Sequence, residues 1–346
     1  MSRPSTSRWR LTWAVGALAA LGVGSSPVQA ALTETARLAA IYDTILAARF
    51  DRVDDQLKQA CPPAPAEACA ALAAVSTWWQ ILLDPDSSRL DARLNDQAAA
   101  AVRASTAWTK RDPRHAEAWF YLAGAYAPLV QWRVLRGERL AAARDAKKIK
   151  DALERTLALD PGLDDAHFGI GAYHYYAAVA PTAAKILRWL MFLPGGDRVR
   201  GLQEMLQARQ RGVLLGGEAE YQLHLIFLWY EQQPARALEI LERLDARYPT
   251  NPLFQRRIAE VQDDYFHDRR ASEAAWQTLI DRARAGRFDN PPRAEARAHI
   301  ALARLRERAG DRANAIESYR QALQVAGIEM RTRDEARAAL TRLGAS

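Results

Sequence analysis

Residues 116–126 read Ala116-Glu117-Ala118-Trp119-Phe120-Tyr121-Leu122-Ala123-Gly124-Ala125-Tyr126, and Ile149, Leu153 and the run Leu157-Ala158-Leu159-Asp160-Pro161 follow them. Trp119, Leu122 and Tyr126 recur at the three- and four-residue spacing of one helix face, with Ala123 as the small residue between them. Ile149, Leu153 and Leu157 keep that period until Asp160-Pro161-Gly162 stops it. Two helices joined by a turn are therefore predicted, with small residues where the backbones cross and large ones filling the gap to the next pair.

Working outward, the same bulky and small positions return. One copy has His167, Ile170-Gly171 and His174, then Gly201, Met205 and Ala208; the next has Tyr221, Leu225, Leu228, Ala237, Leu241, Leu244 and Pro249. A degenerate copy surrounds Ile258-Ala259, Ala271 and Ala275, and a last one holds Leu302-Ala303, Gly310-Asp311, Ala315, Tyr319 and Ala322-Leu323. Upstream, Phe50 to Ala60 and Ala101 to Pro113 read as second helices of two more divergent pairs. No alternating Val/Ile/Thr strand pattern occurs after Ala31, so the chain is predicted to be all-α.

The Trp119-x-x-Leu122-Ala123-x-x-Tyr126 spacing and the closing Leu157-Ala-Leu-Asp-Pro161 resemble the tetratricopeptide repeat (TPR) family. The whole is also similar to exported bacterial TPR-containing proteins. That resemblance implies an α-solenoid of TPR-like helical hairpins, wound as a right-handed superhelix, with inserted helical segments and a C-terminal capping helix. Surplus residues fall between the two helices of a unit, around Val130 to Ala143 and again between Pro161 and Val213. The expected organisation is a signal peptide at 1–30, divergent hairpins at 31–113, a TPR-like array at 114–330 and a cap at 331–346.

Composition supports a chain able to bury a core. Of 346 residues 49% are hydrophobic and 26% charged, with 18 glycines and 16 prolines, which excludes collagen-like and low-complexity classes. Mean hydropathy of −0.29 argues against many membrane spans. Arg3, Arg8 and Arg10 precede an apolar run from Leu11 to Val23 and a Val28-Gln29-Ala30 end, the pattern of a cleaved signal peptide. Its loss takes the formal charge from +7 to +4 and places the chain in the periplasm or outside the cell. In that oxidising compartment Cys61 and Cys69, the only cysteines, are expected to form a disulfide across Pro62-Pro63-Ala64-Pro65.

Catalytic signatures are absent: the chain has no H-E-x-x-H, G-x-S-x-G, Walker loop or Cys/His zinc spacing. No enzyme activity, cofactor or metal is assigned. His167, His174 and His224 fall on neighbouring first helices, but their positions hold packing residues and no paired carboxylate accompanies them. Core histidines are expected.

TPR proteins bind mainly on the concave face lined by first helices. The resemblance therefore implies partner contacts at Phe120, at Phe168, Tyr175 and Tyr176, at Gln222, Trp229 and Tyr230, and at Arg256, Arg304 and Arg308. An aromatic strip beside arginines suits an extended peptide or partner helix. The alternative, that the aromatics are core beneath an inserted hairpin, stays open at this level. Lys185, Arg188, Trp189 and Phe192 lie in the most apolar stretch and are candidates for peripheral membrane or partner docking. The expected function is an exported scaffold for an envelope or periplasmic protein, without nucleic acid. The alternative is a small-molecule or lipid binding protein with a cavity between the inserted hairpin (177–200) and the concave face.

Overall fold

The computed structural model describes residues 32–180 and 195–345. Among the described residues there are fifteen helices and no strand. They are α1 (Thr35–Leu46), α2 (Phe50–Ala60), α3 (Ala66–Leu83), α4 (Asp91–Arg111), α5 (Ala116–Leu135), α6 (Arg139–Leu159), α7 (Ala166–Val179) and α8 (Arg198–Arg211). α9 (Gly216–Trp229), α10 (Pro234–Arg247), α11 (Pro252–Asp264), α12 (Arg269–Arg284), α13 (Pro291–Arg308), α14 (Arg312–Gln324) and α15 (Met330–Arg342) follow. Consecutive helices pack in pairs, α1 with α2 through α13 with α14, and each pair packs on the next. The fold is an α-solenoid of TPR-like hairpins, ending in α15 against α13 and α14.

Surplus residues after Val130 lengthen α5 to 20 residues and α6 to 21, so the stacking face keeps its register. The corresponding surplus after Pro161 lies between α7 and α8. Residues 181–194 within it are outside the described residues, as are the predicted signal segment at 1–30 and Lys185, Arg188, Trp189 and Phe192. Where α7 crosses α8 the two backbones nearly touch. A Cβ on Gly171 would stand 2.7 Å from the Gly201 carbonyl oxygen, and one on Gly201 would stand 2.5 Å from the Tyr175 nitrogen. Glycine is required there by space.

The Cys61–Cys69 disulfide ties the end of α2 to the first turn of α3. By length and composition α3 alone among the described helices could cross a membrane, yet 56% of it is buried inside the protein. It packs on α1, α4 and α5, and also meets α11, far along the chain.

That last contact closes the array on itself. Trp79 of α3 lies 4.9 Å from the ring of Tyr221 on α9 and 6.2 Å from that of Phe254 on α11. α1 crosses the same region. The Asn251 side chain donates to the Leu46 carbonyl at 2.8 Å, Thr250 donates to Ala47 at 2.6 Å, and Tyr248 donates to Asp43 at 2.5 Å. One large core runs from Leu32 to Val261, and two smaller ones lie between α11 and α13 and between α13 and α15.

Candidate functional site

Closure of the array decides which predicted positions face outward. Phe120 and Tyr175 are buried in the large core, and Phe168 and Tyr176 pack half-buried against it. The Tyr175 hydroxyl donates to Glu231, whose carboxylate also receives Arg198 through Nε at 2.8 Å and Nη2 at 2.6 Å. Gln222 is turned inward too, donating to Gln131 at 2.9 Å. Trp229 and Tyr230 remain 53% and 41% exposed at the end of α9. The cavity envisaged beside the inserted hairpin (177–200) falls partly outside the described residues.

The centre of the closed core holds a carboxylate among uncharged donors. Glu218, in the first turn of α9, accepts from Tyr42 of α1 at 3.0 Å and from Trp79 of α3 at 3.1 Å. Burial raises its carboxyl above the usual range, while Gln222, Tyr42 and Trp79 favour the ionised form. His224, nearly two turns on, is pushed down to about 3 by burial and by Arg257, so its ring is neutral at any ordinary pH. Its Nδ1 meets the Tyr221 carbonyl oxygen. His174 pairs with Glu204 at 2.7 Å. Among the described residues no cluster of three His, Cys, Asp or Glu side chains could hold a metal.

Arg256, Arg304 and Arg308 do come together. They line an open cleft of about 760 Å³ between α11, α13, α15 and the turn that joins α3 to α4. Its inner end is stoppered by the C-terminus of α3. Arg256 donates to the Leu82 carbonyl at 3.2 Å and Arg297 to the Leu83 carbonyl at 3.0 Å. These carbonyls are the unsatisfied acceptors at the negative end of the helix dipole, so arginines from α11 and α13 cap α3 across more than 170 residues of chain.

Asp84, the next residue, is held by Arg297 at 2.7 Å and by Arg293. Burial works against its ionised form, but the two guanidiniums outweigh it and keep the carboxyl below the usual range. Glu329 shares the same arginines, at 3.0 Å from Arg293 and 3.3 Å from Arg297. Arg331 reaches Asp86 at 2.8 Å. Asp84, Arg293, Arg297 and Arg331 escaped the sequence reading. Nothing local marks a carboxylate whose cations lie 209 and 213 residues further on.

At the outer end, Arg304 pairs with Glu335 and Arg308 with Asp263. Asp264 beside them is exposed, and burial of part of its carboxyl, with Asp263 and Glu260 near, raises its pKa. The chemistry of this cleft is salt-bridge exchange and hydrogen bonding with a charged guest. Asp84, Arg256, Arg293 and Arg297 anchor the fold, while Arg304 and Arg308 stand at the mouth.

No family model matches the sequence, and no curated protein matches it. Solved structures are similar over much of the chain. The human IFIT1 dimer with m7Gppp-AAAA is 14% identical, with 90% of this chain and 86% of that one covered and a TM-score of 0.36. Yeast Tom70 is 13% identical, covering 79% and 64%, with a TM-score of 0.34. A monomeric IFIT1 mutant with the same capped RNA is 13% identical, covering 80% and 63%, with a TM-score of 0.36. The chain thus spans slightly less than two thirds of the length of two of these, and no site residue is assigned from any of them. On its own geometry the chain is a TPR-like array closed through its first helices, with an arginine-lined cleft left open beside its last hairpins.

Proposed function

We propose that the protein is an exported, non-enzymatic scaffold that holds a protein partner of the periplasm or cell envelope in the cleft between α11, α13 and α15. The observation that carries the reading is the cleft itself. It is about 760 Å³, open to solvent, and lined by charged side chains from three successive first helices. A peptide or helix end fits such a surface, because ion pairs at a solvent-exposed mouth exchange partners at little cost. Of the aromatic positions on the concave face, Phe120 and Tyr175 are interior, while Trp229 and Tyr230 stay exposed at the end of α9.

Compartment rests on the sequence pattern of residues 1–30 and on the Cys61–Cys69 disulfide, which suits an oxidising environment. The test is site-specific photo-crosslinking in an envelope fraction, with the reactive group at Ala301 in the cleft and, as control, at Gln277 on the outward side of α12. A protein adduct from position 301 and none from 277 is expected. Recovery of a lipid or small ligand at 301, with no protein, would sink the scaffold reading.

A further inference from the structure

The open cleft does not end at α13. A second hollow of about 670 Å³, lined by Arg304, Glu307, Arg308, Tyr319, Glu335 and Arg342, shares Arg304, Arg308 and Glu335 with the first, so the two form one groove. Along it the ion pairs are lopsided. Arg304 is 57% exposed against 36% for Glu335, Arg308 is 60% against 25% for Asp263, and Arg342 is 59% against 24% for Glu307. In each pair the carboxylate recedes and the guanidinium is what an approaching molecule meets. Exposed pairs of this kind are weak, and a guanidinium has five donors, more than one carboxylate can use.

Deeper in, the Nε–H of Arg256 is buried and has no hydrogen-bond acceptor. Its nearest counter-charge, Glu260 at 3.8 Å, is engaged more closely by Arg257 at 2.7 Å. The floor of the groove therefore carries a cation that the protein leaves incompletely compensated.

We propose that this groove takes an extended acidic segment of a partner protein, its carboxylates laid on Arg304, Arg308 and Arg342. The inference rests on the scaffold reading and adds the chemistry of the partner. Spacing agrees with it. Arg304 and Arg308 are one turn apart on α13, a rise of about 6 Å, and alternate side chains of an extended peptide are about 6.6 Å apart on one face. Acids at every second position would meet successive guanidiniums, with small residues turned toward Asp263 and Asp264.

A nucleic acid fits less well. Its charge is uniform along the strand, whereas Glu260, Asp263, Asp264 and Glu335 interrupt the cations of the groove. Trp276, Phe288 and Tyr319 along the groove are buried and Phe50 is half-buried, so no open ring is offered for base stacking.

The experiment is fluorescence anisotropy with the full chain and three probes: a peptide alternating glutamate with serine, its lysine counterpart, and a single-stranded RNA of similar length. The acidic peptide should bind and weaken as salt is raised. Its affinity should fall at least about tenfold in the Arg304→Ala, Arg308→Ala double variant, whose folding is checked by circular dichroism. Equal binding of the lysine peptide or the RNA, equal affinity in the double variant, or no binding of the acidic peptide would overturn the proposal. A protein adduct at position 301 alongside any of those results would leave the scaffold reading standing and remove only its acidic partner.

Discussion

At the scale of single residues, two positions show how little room the interior leaves. Gly201 lies against the backbone of α7, so Gly201→Ala must push two helices apart. A loss of about 1–3 kcal/mol is expected, read from urea unfolding. Glu218 is the other case. Its carboxyl is raised above the ordinary value of 4.5 by burial. A group raised in the folded state stabilises fully below about pH 4.5, and that contribution is lost as pH climbs through the folded value. Wild type should therefore lose stability from acid toward neutral pH on account of Glu218. Glu218→Gln keeps an acceptor for Tyr42 and Trp79 and should remove this slope. Glu218→Ala strands both donors and should cost about 2 kcal/mol or more at any pH. A Gln variant with an unchanged pH profile would show that the carboxyl does not titrate there. Gly171 and Gly201 were legible in the sequence, because small residues at a helical period mark a crossing. Glu218 was not, because its donors come from α1 and α3, well over a hundred residues earlier.

At the scale of elements, α3 does the work that the array's concave face was expected to leave to a partner. It is apolar nearly all round, as a helix must be when it packs on α1, α4, α5 and α11 together. Periodicity tells which face of a helix meets its own hairpin, but not which distant helix will cover the other face. For that reason Tyr175 and Phe120 could be placed on the inner side of the array from sequence, while their burial could not. The junction between α2 and α3 is also stapled by Cys61–Cys69. Reduction, or the Cys61→Ser, Cys69→Ser variant, closes no loop in the unfolded chain and should cost about 2–3 kcal/mol in the chain-entropy account. Urea midpoints with and without reductant would measure it, and the double variant should no longer respond to reductant.

At the scale of the whole molecule, three separate cores are joined in part by ions. The last hairpins are tied to the N-terminal helices through Asp84 with Arg293 and Arg297, and through Asp86 with Arg331. Asp84→Asn leaves two half-buried guanidiniums with Glu329 as their remaining counter-charge and should cost about 2–4 kcal/mol. The loss should appear as an early unfolding step of the last hairpins, seen by hydrogen exchange in α13 and α15 before α3. Because the Asp84 carboxyl is held below its usual range, its contribution is present above about pH 4 and fades as pH falls through the lowered value. Simultaneous exchange of all helices in the variant would refute this division. The array itself was readable from the spacing of Trp119, Leu122 and Tyr126 onward. Its closure was not, since Asp84 and Arg297 have no neighbours in sequence that announce each other.

The bonds from Leu46 and Ala47 to residues 250 and 251 reach across some 200 positions. Ordinary repeat arrays keep their contacts between neighbours and can grow one unit at a time from any point. Here α1, besides packing on α2 and α3, has partners among residues made much later, so its docking stays incomplete until residues 248–251 exist. Refolding is then expected to end in a slow, cooperative step in which α1 completes its docking, and a chain cut before Gly216, which removes Glu218 and residues 248–251, should keep its middle hairpins yet leave that helix more open to proteolysis.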